Sequence, residues 1–132
     1  MKRFADWPTR LNAYIEMRRE WPFAWHTNDC SSFAAKAVEA ITGQDVFAPW
    51  AAYADAASAI RLVQSAGGVD RIADRVLGQR IGAAFAQRGD VVLIETEARP
   101  SLAVCLGGIC AAPGLDKLEF LPMGGALCGW RV

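Results

Sequence analysis

The chain has 132 residues, with 14 Lys and Arg balanced by 14 Asp and Glu, and 53% of its residues are apolar. This length fits one domain, residues 1–132, and the apolar fraction is ample for a packed core, so global disorder is excluded. Zero net charge argues against a nucleic-acid partner, since such binders present a basic face, and no apolar run approaches the roughly 20 residues of a membrane span.

A first helix is predicted near the amino terminus. Pro8 is tolerated in a first helical turn, and Asp6 precedes it as a possible cap. Apolar residues then recur at helical spacing from Leu11 onward. Pro22 is expected to end this helix, because the residue before a proline disfavours helical backbone angles.

Three further helices are predicted in the first 78 residues. The second runs from Cys30 to Thr42, and Gly43 is a plausible stop for it. Ala-rich sequence from Pro49 to Ala66 predicts the third helix. A short fourth helix is expected from Asp70 to Leu77.

From about residue 87 the pattern changes to short strands. The apolar run Val91–Ile94 is typical of a strand covered on both faces. Further strands, separated by glycine and proline turn signals, are predicted at Leu102–Leu106, Ile109–Ala112, Leu118–Leu121 and Leu127–Val132. Helices first and strands afterwards indicate an α+β fold, with N-terminal helices packed on a C-terminal antiparallel sheet of four to five or more strands.

The four cysteines are Cys30, Cys105, Cys110 and Cys128. A disulfide framework is not expected in a chain with no export signal and sufficient apolar sequence for a core. No C-x-x-C pair is present, and zinc or iron–sulfur sites need thiolates or histidines at short spacings. We therefore expect no metal and no cofactor, and we interpret the last three cysteines as small apolar strand residues.

The segment Trp25–Phe33, WHTNDCSSF, is the most informative for chemistry. Asn28 or Asp29 is a natural N-cap, which places Cys30 in the first turn of a helix. The positive end of the helix dipole is expected to favour the thiolate there. Cys30 shares a helical stripe with Ala34, so its sulfur should face the body of the protein. A nucleophile and a small core residue at a helix start both fit this position.

Three motifs resemble those of the NlpC-type cysteine peptidases, papain-like enzymes that cut peptidoglycan stem peptides. Asp29–Phe33, DCSSF, resembles their D-C-S-G-[LF] nucleophile motif. Arg88–Leu93, RGDVVL, is similar to their G-D-[LV]-[VL] turn, and Ser101–Gly107, SLAVCLG, is similar to their H-V-G-I-Y-[LI]-G strand. The resemblance implies a papain-like fold in which Cys30, at a helix start, faces the sheet as the nucleophile does in those enzymes.

Most of the chain also resembles a small phage- and prophage-associated group of tail proteins within that superfamily. Members carry a W-G-x-N-D-C-x-x-F core, an R-G-D-V-V turn, an L-G-V-C-x-G strand and an A-W-R-V-like end. The matching segments here are Trp25–Phe33, Arg88–Val92, Leu102–Gly107 and Gly129–Val132. This resemblance implies phage tail or hub proteins as partners.

The chain departs from the peptidase pattern at the general base. In active NlpC-type enzymes a histidine opens the H-V-G strand, and Ser101 holds that position here. A serine hydroxyl cannot accept a thiol proton near neutral pH. The third polar residue of those enzymes would fall within Ile109–Ala112, where nothing fits. A Cys–His enzyme without its histidine is expected to lose several powers of ten in rate.

His26 is the one histidine of the chain, four residues before Cys30. Four loop residues span at most about 14 Å, so the imidazole could reach the sulfur if the loop curls back. It would then act as an unusual base that approaches from the loop side. The alternatives are a histidine stacked among loop aromatics such as Trp21 and Trp25, or one bonded to a nearby carbonyl.

Two functional hypotheses follow. The favoured one is a phage tail-tip or tail-assembly protein with a degenerate papain-like site. The alternative is an active cysteine peptidase or amidase that cleaves bacterial peptidoglycan peptides during infection. There Cys30 would be the nucleophile and His26 the base, with oxyanion donors at the helix start around Asn28, Asp29 and Ser31.

The expected location follows from the amino terminus. The opening sequence MKRFADWPTR has no apolar stretch of the kind that a secretory signal contains. The chain is therefore expected in the bacterial host cytoplasm during assembly and then in the tail of the virion.

Overall fold

The structure is a computed structural model that describes residues 1–97 and 99–132. Four helices come first in the chain and are followed by six strands. The helices are α1 (Trp7–Arg18), α2 (Cys30–Thr42), α3 (Ala56–Ala66) and α4 (Val69–Leu77). The strands are β1 (Arg80–Gly82), β2 (Val91–Ile94), β3 (Ser101–Cys105), β4 (Ile109–Pro113), β5 (Leu118–Pro122) and β6 (Ala126–Trp130).

Local sequence signals account for both ends of α2. The Asp29 carboxylate accepts from the backbone N–H of Ser32 at 2.9 Å, and the Ser32 hydroxyl accepts from the backbone N–H of Asp29 at 3.0 Å. This reciprocal capping box satisfies two of the backbone donors that a helix start leaves unpaired. Gly43 ends the helix with a φ of 79°, a left-handed conformation that glycine adopts without steric cost.

The third helix begins later than the sequence indicated. Pro49 lies in a single 3-10 turn, Ala48–Trp50, and α3 starts only at Ala56. The reason is a second capping box, in which the Asp55 carboxylate and the Ser58 hydroxyl each accept from the other's backbone N–H. Residues 51–55 therefore form an irregular connection that leads back toward the start of α2.

All six strands form one antiparallel sheet with the order β1-β6-β2-β3-β4-β5. The predicted strands from Val91 onward are confirmed to within a few residues. The sheet is not a simple meander, because β6 returns to lie between β1 and β2. Sequence reasoning missed β1, which has three residues and therefore too little periodicity to detect.

The core lies on both faces of this sheet. Helices α1 and α2 cover one face, and the largest buried side chains there are Leu11, Phe33, Val38, Ile41, Val91, Val104 and Trp130. A smaller buried cluster on the other face contains Val92, Ile94, Ala103, Cys105, Cys110 and Ala112. Alternate residues of Val91–Ile94 belong to the two clusters, which confirms the prediction of a strand covered on both faces.

The predicted α+β architecture is thus confirmed, with helices packed on an antiparallel sheet. Across residues 1–97 and 99–132, no helix combines the length and the apolar character that crossing a bilayer requires.

Candidate active site

Cys30 is the first residue of α2, and Asp29 is the N-cap. The Asp29 carboxylate also accepts a hydrogen bond from the backbone N–H of His26 at 2.8 Å and one from the phenol of Tyr53 at 2.5 Å. One buried carboxylate therefore fixes the helix start, the loop before it and the connection after the helix. This places the Cys30 thiol on a rigid support.

The start of β3 lies beside this thiol. The backbone of Leu102 acts to lower the pKa of the thiol, and both Cys30 and Ser101 line one cavity. Cys30 is partly buried and packs against the main core cluster, so its sulfur faces the body of the protein as its helical stripe predicted. The structure thus places Cys30 and Ser101, the first residue of β3, at one cavity.

The ionisation of Cys30 differs from the expectation drawn from its helix position. Burial raises the pKa of this thiol above its ordinary value, and the nearby Asp29 carboxylate acts in the same direction. The Leu102 hydrogen bond and the Arg99 charge oppose the rise but do not cancel it. Desolvation is the largest cause, so the expectation of a favoured thiolate is corrected: burial holds the pKa of this thiol above its ordinary value.

Ser101 supplies no proton acceptor for that thiol. Its hydroxyl is directed to the backbone carbonyl of Arg99, at 3.4 Å. Strand β4, on the far side of β3, contributes Ile109–Pro113 and no polar side chain. Strands β3 and β4 therefore offer Cys30 neither a base nor a group to orient one, whereas the Glu119 carboxylate on β5 lines the same cavity.

The ring of His26 packs against aromatic side chains. Its centroid lies 5.5 Å from those of Phe47 and Tyr53, and His26 is absent from the described residues that line the cavity. The backbone of His26 has a φ of 72°, which holds it in the left-handed region. The ring is stacked as one of the alternatives predicted, although on Phe47 and Tyr53 instead of on the loop tryptophans.

The other two residues around the N-cap have separate roles. The buried Asn28 side chain accepts from Arg18 Nη1 at 3.0 Å and donates to the carbonyl of Pro22 at 2.9 Å, so it holds the loop before α2. The Ser31 hydroxyl lies 3.9 Å from the Cys30 sulfur and lines the same cavity. Asn28 therefore stabilises the loop before α2 and does not line the cavity, whereas Ser31 lines it.

The cavity beside Cys30 has a volume of about 460 Å³. It extends from the start of β3 to the apolar sides of α3 and α4. Tyr53 and Arg99 are among the lining residues that the sequence analysis did not single out. The spacing of Asp55 and Ser58 signals a helix start at Ala56, and that signal would have placed Tyr53 in a connection instead of inside a helix.

No metal centre accompanies the cavity in the described ranges 1–97 and 99–132, where no three His, Cys, Asp or Glu side chains are grouped so that they could hold an ion. The chemistry available at this site is that of a partly buried thiol, hydroxyl groups, the guanidinium of Arg99 and the carboxylates of Asp29, Asp70 and Glu119.

Comparison with known proteins adds a family and a fold. The sequence profile described as "Domain of unknown function (DUF6950)" matches residues 2–132. No curated protein matches the chain. Among solved structures, the chain is similar to the crystal structure of the NlpC/p60 domain of the peptidoglycan hydrolase SagA, with a TM-score of 0.62 and 16% identity. The similarity covers 94% of this chain and 97% of that one, and it supports the NlpC-like, papain-like fold that the motifs implied.

Proposed function

The chain belongs to the DUF6950 family, and we propose that it is a phage tail-tip or tail-assembly protein whose papain-like site is catalytically degenerate. The observation that carries the proposal is the pairing of Cys30 with Ser101 in one cavity. The nucleophile position is kept, but the position of the general base holds a hydroxyl.

Two physical effects keep Cys30 unreactive. Burial raises the pKa of the thiol, and Ser101 cannot remove its proton near neutral pH. Cysteine peptidases require the thiolate as nucleophile, which an adjacent base normally generates. The two effects add, because each one leaves the sulfur protonated.

The proposed tail role rests on the motif resemblance and on charge. The segments Trp25–Phe33 and Arg88–Val92 resemble those of phage tail-associated relatives. The chain has 14 basic and 14 acidic side chains and therefore no net charge to repel other proteins. This favours association with partners in an assembly. We propose other tail and hub proteins as its partners and the virion tail as its final location.

An active peptidase is the alternative, and one observation favours it. The similar solved structure is a domain of a peptidoglycan hydrolase, and this chain keeps a cysteine at the start of α2. Cys30 would attack a peptide carbonyl, His26 would serve as base after the loop rearranges, and N–H groups at the helix start would stabilise the oxyanion. Peptidoglycan peptides would then be the substrate.

Digestion of purified peptidoglycan separates the two functions. We expect no fragments from the wild-type chain across several peptidoglycan types, and the same result from Cys30→Ala. Cleavage by the wild type that is lost in Cys30→Ala would contradict a degenerate site. In that case His26→Ala would test the loop histidine as base.

Restoration of the base gives the reverse test. In Ser101→His an imidazole enters the cavity beside the thiol, and we expect alkylation of Cys30 near pH 7 to become faster than in the wild type. Ser65→His is the matched control, because Ser65 is exposed on α3 and does not line the cavity. Equal alkylation rates in both variants would show that residue 101 does not control the thiol.

The tail role is tested on particles. Mass spectrometry of purified virions from a phage that encodes the chain should detect it together with tail proteins. Its absence from virions and from tail-assembly intermediates would contradict the proposed role.

A further inference from the structure

The walls of the cavity beside Cys30 are mainly aliphatic. Its volume of about 460 Å³ lies within the range of roughly 300–1,000 Å³ that small-molecule sites occupy. Helices α2, α3 and α4 contribute apolar side chains to it, among them Ala34, Val38, Val63, Val69, Ile72 and Val76. An occupant of this space must itself be apolar over most of its length, because few wall atoms could pair with polar groups.

Polar groups are gathered near Cys30, and most of them are already satisfied. Tyr53 donates to Asp29, and the hydroxyls of Thr96 and Ser101 both donate to the carbonyl of Arg99. These bonds use the donors that would otherwise be free to orient a ligand. Three carboxylates also line the cavity: Asp29 accepts from His26 and Tyr53, Asp70 pairs with Arg80 at 3.0 Å, and Glu119 lies on β5. Among the described lining residues, Arg99 supplies the positive charge.

Arg99 is placed to hold an anion. The residue is exposed and also lines the cavity, so it stands where the cavity meets solvent. Its guanidinium carbon lies 5.7 Å from the centroid of the Trp25 ring, and none of the ion pairs among residues 1–97 and 99–132 involves it. A guanidinium presents paired N–H donors that match the two oxygens of a carboxylate.

We propose that this cavity binds a fatty acid-like ligand, with an unbranched apolar chain between α2, α3 and α4 and a carboxylate at Arg99. Binding is noncovalent and involves no reaction at Cys30. The inference concerns the same cavity as the proposed function, but it does not require the role in a phage tail.

A peptide fits the same cavity less well. Each residue of an inserted peptide would bring a backbone N–H and a C=O, and burial of these groups without partners is costly. An acyl chain has no polar atoms beyond its carboxylate and loses no hydrogen bonds in an aliphatic cavity. This difference favours a fatty acid over both an apolar peptide tail and a peptidoglycan stem peptide.

Calorimetric titration of the full chain with octanoate, decanoate and dodecanoate, below their micelle concentrations, tests the proposal. We expect saturable binding of one ligand per chain, with affinity rising about fourfold for each added methylene until the cavity is filled. Absent binding, or binding that does not saturate, would overturn the proposal. The proposal would also be overturned if a short apolar peptide with a free carboxyl terminus bound and decanoate did not.

Two matched pairs of variants locate the ligand. Arg99→Gln should weaken decanoate about fivefold and leave decanol unchanged, as expected for one ion pair near the surface. Arg131→Gln is the control, since Arg131 is exposed and outside the cavity lining. Equal effects of the two variants on decanoate would overturn the placement of the carboxylate.

The second pair tests the chain-binding space. Val63→Trp fills the cavity from α3 and should abolish decanoate binding, whereas Ser65→Trp, on the exposed side of the same helix, should not. Wild-type affinity in a folded Val63→Trp chain would overturn the proposal, and the Arg99 pair still tests it if Val63→Trp does not fold. Peptidoglycan digestion and particle composition are separate readouts, so failure here would not be confused with failure of the proposed function.

Discussion

The phenol of Tyr53 donates a 2.5 Å hydrogen bond to the same carboxylate that caps the Cys30 helix, that of Asp29. The two residues are 24 positions apart, and their contact ties the connection before α3 to the start of α2. The bond also raises the pKa of Tyr53, after desolvation as the larger cause, because the protonated phenol is the donor. The site around Cys30 is therefore stabilised by a hydrogen bond between residues that are distant in the sequence.

Removal of that phenol should loosen the site. Tyr53→Phe is expected to lower the free energy of unfolding by about 1.5 kcal/mol, since a hydrogen bond to a charged acceptor is lost. Urea denaturation measures the change. Tyr14→Phe is the comparison, because the Tyr14 phenol donates to a neutral acceptor, the carbonyl of Phe33, at 2.7 Å. An unchanged free energy of unfolding in Tyr53→Phe would mean that the contact does not stabilise the folded chain.

The two capping boxes allow a matched test of burial. Asp29→Ala removes the cap of α2 and also leaves the backbone N–H of His26 and the phenol of Tyr53 without their acceptor. We expect it to cost about 3 kcal/mol or more of unfolding free energy. Asp55→Ala removes the equivalent box from the exposed start of α3 and should cost clearly less. Similar losses in the two variants would contradict the central position of Asp29.

The protonation of Cys30 makes a signed prediction of pH dependence. The folded pKa is raised above the ordinary value of 9.0. As pH rises through 9, the unfolded chain therefore releases this proton first, and the stability contributed by the neutral thiol is lost. The free energy of unfolding should fall more steeply between pH 8.5 and about 10 in the wild type than in Cys30→Ala. A steeper fall of the unfolding free energy in Cys30→Ala than in the wild type would contradict a raised pKa of Cys30 in the folded chain.

Alkylation reports the same property directly. The rate of iodoacetamide labelling at Cys30, followed by peptide mass spectrometry, should lie below that of the urea-unfolded chain near pH 8, because the thiolate is the reactive form. It should increase with pH to values above 9. Faster labelling of the folded chain would indicate that the helix start, and not burial, dominates the thiol.

Two other cysteines lie opposite each other on neighbouring strands of the sheet. Cys105 on β3 is paired directly with Cys110 on β4, and both are fully buried. Directly opposed Cα atoms of antiparallel strands lie about 4.5–5.5 Å apart, within the range of about 4.4–6.8 Å that a disulfide spans. Oxidised glutathione in mild urea should therefore join Cys105 to Cys110, whereas bonds that involve Cys30 or Cys128 would contradict the register.

Local sequence was enough to predict the supports of the site. Asp29, Ser32 and Gly43 act within a few residues of the ends of α2, so their types alone locate that helix. The apolar run Val91–Ile94 likewise indicates a strand covered on both faces. The expected position of Ser101 came from the resemblance of Ser101–Gly107 to a strand motif of NlpC-type enzymes.

Other features depended on contacts between distant residues. The Asp55–Ser58 capping box starts α3 at Ala56, but the contact of Tyr53 with Asp29 forms only in the folded chain. Strand β1 has three residues, and it exists because β6 pairs with it at the sheet edge. Neither partner is close in sequence, so no local pattern encodes the pairing.

The sequence by itself determined that a cysteine begins a helix, because capping depends on residue type and local spacing. That Ser101 holds the strand position of a general base is what the resemblance to NlpC-type enzymes implies. Only the tertiary structure decided the ionisation of that cysteine and the apolar cavity beside it. Desolvation and cavity shape arise from the packing of α2, α3, α4 and β3, which are separated along the chain and meet only after folding.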